Sequence, residues 1–294
     1  MGHTSVTLQQ GISTVTSIGL IGIENSHVDH FIRFLNTEER FPGYRATTLV
    51  GGEPERRDKL AADGNIDQFV ENPADLIGKV DAAIISTRDG SKHAEQAIPL
   101  LEAGIPVLVD KPLAASVADA EAMVAAAKKG NTIILSASAL RAVDEVAELK
   151  KAKETVGEIQ AVHVAGPADP NSEYAGLSFY GIHEIEAALE LTNEGDFESV
   201  DVRRSANGVQ AATKLGDILT TIHFITKDEQ GQIGFFASVV GSHGLVHSQL
   251  NLTKDYNFPL LDLFVKSIEQ GSSVFSEEKM LRAVRLLQAI TDQL

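Results

Sequence analysis

Lys111 and His183 are the two residues whose types and positions best suit proton and charge transfer on a small molecule. Lys111 follows the apolar run Ile105–Val109, and an ammonium group at a strand end can stabilise a developing alkoxide. His183 lies in the segment Gly181–Glu186, and imidazole titrates close to neutral pH, so it can accept a hydroxyl proton. The alternatives are a surface lysine beside a turn and a core histidine on an amphipathic helix.

A third candidate is the loop that joins Ile18–Ile23, an apolar run of strand length, to a helical pattern that begins at Val28. A strand, a tight loop and a helix in this order present backbone N–H groups to an anion in open α/β sheets. The usual fingerprint is G-x-G-x-x-G, and Glu24 and His27 occupy its second and third glycine positions. Ser26 is the predicted N-cap, with Asp29 completing an approximate capping box. The predicted phosphate contacts in this loop are Gly22, Glu24, Asn25, Ser26 and His27.

Composition excludes several classes of protein. The 294 residues include 25 Lys and Arg against 41 Asp and Glu, a net charge of −16, which argues against nucleic acid or an anionic membrane as partner. The chain has no cysteine, so disulfides, thiolate metal sites and cysteine nucleophiles are absent. No membrane span or secretory signal is predicted, so we expect a cytoplasmic protein. The spacing of Glu24, His27 and His30 resembles a metal site, but no further ligand is adjacent, and we predict no metal.

The order of the predicted elements defines the fold. From residue 18 to 137, strands alternate with helices, which predicts a Rossmann-type doubly wound parallel sheet. From 138 to 294, a predicted helix Val143–Thr155 precedes strand-like runs without intervening helices, which indicates an α+β domain with a mostly antiparallel open sheet. A single strand is predicted over Asp217–Ile225. Residues 1–17 are predicted to be a flexible leader.

Three segments resemble the Gfo/Idh/MocA oxidoreductases. They are Thr87 with His93, the block Leu101–Leu113 that contains Asp110-Lys111-Pro112, and Gly181–Glu186. The resemblance covers residues 18–294 and implies an NAD(P)-dependent dehydrogenase or reductase that acts on a secondary alcohol or ketone of a sugar, inositol or related polyol. It also implies a homodimer or homotetramer, with Lys111 contacting both cofactor and substrate and His183 as the general base.

Several positions depart from that family's pattern. Gly51 stands where an acidic residue normally holds the adenosine ribose, which favours NADP over NAD, with Arg56 or Arg57 available for a 2′-phosphate. The alternative is that both arginines are solvated helix residues. Phe179 replaces an aspartate four residues before His183, and Glu186 replaces another three residues after it. The candidate cofactor contacts outside the loop are Gly51, Arg56, Thr87, Arg88, His93, Asp110 and Lys111, and the candidate substrate contacts are Tyr180, His183 and Glu186. A non-catalytic ligand-binding or regulatory relative that kept the fold is the second hypothesis.

Overall fold

Six parallel strands form the first sheet of the protein, a computed structural model that describes residues 15–294. The strand order is β3-β2-β1-β4-β5-β6, the doubly wound arrangement that the sequence predicts. The strands are β1 (Thr16–Ile21), β2 (Tyr44–Val50), β3 (Gln68–Val70), β4 (Ala82–Ile85), β5 (Val107–Val109) and β6 (Ile134–Leu135). Residues 1–14 of the predicted leader lie outside the described residues, and β1 includes its last two residues.

Four helices connect these strands and cover both faces of the sheet. They are α1 (His27–Ile32), α2 (Pro54–Gly64), α3 (His93–Glu102) and α4 (Val117–Lys129). Local sequence explains α4 well, because Ser116 accepts a hydrogen bond from the Asp119 N–H and alanines fill its interior. Helix α1 continues as a π-helical turn over Arg33–Thr37. Short 3₁₀ turns follow β3 and β4, at Pro73–Leu76 and Gly90–Lys92.

The second sheet is mostly antiparallel and lies beyond a 3₁₀ turn at Ala139–Ala142. Its strand order is β12-β11-β7-β10-β9-β8, and only the central pair β7–β10 is parallel. The strands are β7 (Ile159–Pro167), β8 (Val200–Ser205), β9 (Gly208–Leu215), β10 (Ile218–Ile225), β11 (Phe235–Gly241) and β12 (Gly244–Leu250). The helices before β8 are α5 (Asp144–Lys150), α6 (Lys153–Val156) and α7 (Ser178–Leu191), and α7 packs across the inner face of the sheet.

Two predictions for this part of the chain were wrong in detail. The predicted helix Val143–Thr155 is divided into α5 and α6 by a turn at residues 151 and 152. Strand β9 was not predicted, because its alanines give no strong alternating pattern. Its hydrogen bonds to β8 on one side and β10 on the other decide its conformation.

The last two helices tie the two sheets together. Helix α8 (Phe258–Gln270) belongs by sequence to the second predicted domain, yet Leu261 and Phe264 pack into the core around β1 and α1. Helix α9 (Glu277–Thr291) places Val284 in the core of the first sheet and Leu287 in the core of the second. A cleft separates the carboxyl ends of β1, β4 and β5 on one side from α7 on the other. Helices α8 and α9 pack against the elements on both sides and hold them in place.

Candidate active site

Lys111 lies just after β5 and is buried, with 7% of its surface exposed. Its ammonium donates a hydrogen bond to the Phe179 carbonyl oxygen at 3.3 Å and lies 4.8 Å and 5.3 Å from the ring centroids of Phe179 and Tyr180. Burial lowers the pKa of Lys111 from its usual value. Among residues 15–294 no carboxylate forms an ion pair with this ammonium, so its charge is available to a ligand.

His183 lies in the second turn of α7 and is 4% exposed. Its Nδ1 is 2.7 Å from the Ser138 hydroxyl, and its ring makes edge contacts with Tyr180 and Phe235. Burial, followed by the positive charges of Lys111 and His27, lowers the pKa of His183 well below its usual value. The ring is therefore neutral at physiological pH, the state that a general base requires.

An open cavity of about 310 Å³ is lined in part by Tyr180, whose ring contacts both Lys111 and His183. Its aromatic wall consists of Tyr174, Phe179 and Tyr180, two of which also contact Lys111. The polar and charged residues of the lining are Asp169, Asn171, Ser172, Glu173, Lys227 and Gln232. Tyr180, which the sequence predicts as a substrate contact, is thus among the residues that line this cavity.

Glu186 does not line this cavity. It is buried and forms an ion pair of 2.5 Å with Arg141, while its Oε2 also accepts the Ser138 N–H at 2.8 Å. Arg141, which the sequence analysis missed, is also paired with Glu190 and Glu194. The predicted substrate role of Glu186 is corrected accordingly, because its carboxylate is occupied in holding α7 to the start of the second domain.

Gly22 makes the tight turn at the end of β1. It has φ +79°, and a Cβ there would lie 2.1 Å from the Thr87 backbone nitrogen, so no other residue fits. Asn25 closes the turn by donating to the Ser86 carbonyl oxygen at 2.8 Å and accepting the His27 N–H at 3.1 Å. Ser26 makes no side-chain cap, so the predicted capping box is wrong, and Asn25 satisfies the first helical N–H instead.

Glu24 and Arg88 connect the loop after β1 to the loop after β4. The Glu24 carboxylate accepts the Arg88 N–H at 3.2 Å, and the Arg88 guanidinium lies 3.4 Å from the Glu24 carbonyl oxygen. Arg88 also lies 5.9 Å from the ring centroid of Tyr174, across the cleft. A carboxylate and a guanidinium thus lie together at the entrance of the cleft.

His27 packs against the carboxyl end of β5. Burial opposes ionisation of Asp110, but the charge and the hydrogen bond of His27 outweigh it and hold the pKa of Asp110 at about 2. The His27 ring stacks on His30, and Tyr256 meets both rings edge-on at 5.3 Å and 5.1 Å. The His27 ring, at the third glycine position, therefore contacts Asp110, His30 and Tyr256.

The end of β2 departs from the expected ribose site for a steric reason. Gly51 and Gly52 both have positive φ, and a Cβ on Gly52 would lie 2.4 Å from the Ile23 side chain. Arg56 donates to the Ile23 and Asn25 carbonyl oxygens at 2.8 Å and 3.2 Å and is paired with Asp29. Arg56 was expected to bind a 2′-phosphate or to be a solvated helix residue. The structure supports neither role, because these contacts occupy its guanidinium group.

Thr87 and His93 contact the segments that follow β4 and β5, near Lys111. The Thr87 hydroxyl donates to Gln96 at 2.9 Å. The fully buried His93 ring lies 2.8 Å from the carbonyl oxygens of both Thr87 and Pro112. His93 therefore fixes the spacing of the β4 and β5 ends and supports Lys111 indirectly.

Glu184 is a buried group that the sequence analysis did not single out. It is fully buried, neither carboxylate oxygen has a hydrogen-bond partner among residues 15–294, and burial raises its pKa well above the usual value. Within the same residues, no three His, Asp or Glu side chains form a cluster able to hold a metal ion. None of the described helices is long and apolar enough to cross a membrane.

Comparison with known proteins identifies the first domain. Residues 16–138 match the model of the family described as "Oxidoreductase family, NAD-binding Rossmann fold", GFO_IDH_MocA. Residues 16–138 of this chain thus form a domain of the Gfo/Idh/MocA type. The resemblance and the fold class expected from the sequence are thereby confirmed.

Individual members of the Gfo/Idh/MocA family are distant from this chain. An inositol 2-dehydrogenase of Rhodococcus erythropolis is 28% identical over 201 residues, which are 65% of this chain and 57% of that relative. The matched part thus spans little more than half of the relative's length. The structure of GenD2 from gentamicin A biosynthesis in complex with NAD has a TM-score of 0.80 at 15% identity, covering 94% of this chain and 93% of that one.

A second structure shows the same fold with two ligands. It is scyllo-inositol dehydrogenase from Lactobacillus casei with bound cofactor NAD(H) and scyllo-inositol, with a TM-score of 0.77 at 15% identity, covering 95% of this chain and 96% of that one. At such identities these likenesses establish a shared architecture over almost the whole chain, including the second sheet.

Proposed function

We propose that this protein is an NAD(H)-dependent oxidoreductase that transfers hydride between nicotinamide and a secondary alcohol or ketone of a polyol or sugar. One observation carries the proposal: a buried ammonium without a carboxylate partner among residues 15–294 and a buried neutral imidazole both contact Tyr180, which lines an open cavity. The family match over residues 16–138 and the inositol dehydrogenases among the relatives support the substrate class.

The residues present fit a nicotinamide dinucleotide in most respects. Gly22 gives the backbone turn that lets a pyrophosphate approach the sheet, and Arg88 brings a guanidinium to the same entrance. Lys111 and Thr87 lie at the strand ends where the nicotinamide half binds in this fold. Glu24 is the one residue there whose charge opposes a phosphate.

The chain's own groups supply the proton chemistry. The Lys111 ammonium stabilises negative charge that develops on the substrate oxygen, because it is held in a dry site by two aromatic rings. His183 takes the hydroxyl proton during oxidation and returns it during reduction. When bound, the nicotinamide ring supplies the hydride acceptor or donor.

We further propose that the cofactor is NAD(H), although the glycines at the end of β2 favoured NADP. A 2′-phosphate needs a free cation, and the Arg56 guanidinium is committed to Asp29 and two backbone carbonyls. Arg57 lies 5.0 Å from the Phe69 ring centroid and beside Asp58. A tenfold or greater preference for NADPH in binding would reject this choice.

A fluorescence titration tests the enzyme proposal directly. The chain has no tryptophan, so emission of bound NADH stands out from a weak protein background. We expect saturable NADH binding and cofactor-dependent turnover of at least one inositol or sugar. If neither NADH nor NADPH binds at millimolar concentration, the non-catalytic hypothesis replaces this one.

We also propose that the protein forms a homodimer or homotetramer through the outer face of the second sheet. That face exposes Leu219 and Leu245, which are 65% and 54% exposed, beside Phe236. Leu219→Lys should lower the molar mass measured by light scattering, whereas the control Val274→Lys, placed elsewhere on the surface, should leave it unchanged. A wild-type monomer at micromolar concentration would refute the proposal.

A further inference from the structure

Ser138 is the first residue of the second domain, and it contacts α7 through both its backbone and its side chain. Its N–H donates to Glu186, and its hydroxyl lies 2.7 Å from His183 Nδ1, one turn earlier on α7. The hydroxyl oxygen also accepts the Leu140 N–H at 3.1 Å. Ser138 is 2% exposed, so water does not compete for these bonds.

The chemistry of His183 depends on which ring nitrogen holds the proton in the neutral state. A base that takes a substrate proton on Nε2 must hold its own proton on Nδ1. Nε2 has no hydrogen-bond partner among residues 15–294, whereas Nδ1 faces the Ser138 hydroxyl. A hydroxyl oxygen can accept two hydrogen bonds, here from the Leu140 N–H and from the Nδ1–H.

We infer that Ser138 is a positioning residue for the proposed reaction, which holds His183 in the Nδ1–H tautomer and leaves Nε2 free for the substrate. The Nδ1–H···Oγ bond persists when Nε2 gains a proton, so the ring need not move during turnover. The inference rests on the proposed function for its catalytic meaning, but the tautomer itself is a property of the protein alone.

The structure offers a closely matched control. Ser136 is also buried, two residues earlier in the chain, but its hydroxyl has no hydrogen-bond partner among residues 15–294. Ser138→Ala should lower kcat about tenfold or more, with the KM and the NADH dissociation constant nearly unchanged. Ser136→Ala should leave all three unchanged, and Ser138→Thr, which keeps the hydroxyl, should restore kcat.

Nitrogen-15 NMR of the histidine rings tests the inference without any turnover. The His183 signals are assigned by their loss in His183→Gln. In the wild type the neutral ring should show a protonated Nδ1, and in Ser138→Ala the proton should move largely to Nε2. Lys111, His27 and Asp110 face the same ring and remain in both proteins, so their charges do not explain a difference.

Two outcomes would overturn the inference. The first is a wild-type His183 that is protonated on Nε2, which would make Ser138 the donor. The second is an unchanged tautomer in a Ser138→Ala protein of wild-type fold by circular dichroism. If Ser138→Ala does not fold, the wild-type tautomer decides alone. A confirmed tautomer in a protein that binds no nicotinamide would refute the proposed function while leaving the Ser138 bond established.

Discussion

His27 Nδ1 lies 2.5 Å from Oδ2 of Asp110, although the two residues are 83 positions apart in the chain. A ring at the third glycine position of the loop is therefore bonded to the acidic residue that precedes Lys111. The contact joins the first strand–loop–helix unit to the carboxyl end of β5. A glycine at position 27 has no side chain and could not form this contact with Asp110.

Asp110→Asn should lower the free energy of unfolding at pH 7 by about 2 kcal/mol, because the pKa of Asp110 falls from 3.8 to about 2 on folding. A lowered carboxyl pKa stabilises the fold above pH 4, and this stabilisation is lost as the pH falls towards 2. Urea unfolding should thus show a large wild-type advantage at pH 7 and a smaller one at pH 3. Glu102→Gln, which breaks an exposed pair with Lys129, should cost less than about 0.5 kcal/mol. Equal losses in the two variants would contradict the prediction.

Glu24→Gln should tighten NADH binding about fivefold, since an exposed carboxylate about 4 Å from a phosphate repels it by about 1 kcal/mol. Glu95→Gln, an exposed substitution on α3, is the control for net charge and should bind as the wild type does. Glycine at both position 24 and position 27 would restore the G-x-G-x-x-G fingerprint. The two substitutions should differ in their effect on stability. His27→Gly removes the hydrogen bond to Asp110 and should destabilise the fold, whereas Glu24→Gln should not. Weaker binding by Glu24→Gln would show that its carboxylate helps to hold the cofactor.

Lys111→Met should abolish turnover while the melting temperature stays equal or rises. A buried ammonium held by two rings and one carbonyl oxygen has a desolvation cost that a methionine of similar shape avoids. We expect a loss of at least about 100-fold in kcat/KM. Lys129→Met, on the surface of α4, should change neither quantity. A variant that lost activity and also unfolded at lower temperature would point to a structural role for Lys111.

Glu184→Gln should change how stability depends on pH. Because burial raises the pKa of Glu184, the folded protein holds a proton that the unfolded chain releases above about pH 4.5. The free energy of unfolding of the wild type therefore falls as the pH rises from that point towards the raised pKa, and the variant should lose less. Melting temperatures from pH 5 to 9 measure this difference. Parallel curves for the two proteins would show that Glu184 is ionised or paired in the folded state.

The sequence predicted those features that short stretches determine. The apolar run before Lys111 has its cause within a few residues, and it forms the expected strand, over Val107–Val109. Helix α4 has equally local causes in its Ser116 N-cap and its alanines. The partners of single side chains were not predictable in this way. The sequence predicted that Arg56 would bind a phosphate or be solvated. In the structure its guanidinium donates to the carbonyl oxygen of Ile23, 33 residues earlier. Glu186 likewise lay on the expected helix, and only the position of Arg141, 45 residues earlier, shows that its carboxylate is occupied.

The close approach of Gly22 to the backbone after β4 has a consequence for recognising such proteins. The first glycine of the fingerprint is required here because the backbone of Ser86 and Thr87, just after the neighbouring parallel strand β4, leaves no room for a methyl group, whatever the chain binds. Its presence in a distant sequence therefore reports the architecture and gives no information about the ligand. The second and third glycine positions have room for a side chain, since Glu24 and His27 occupy them here. Differences in ligand binding between proteins of this fold are therefore to be sought at those two positions and not at the first.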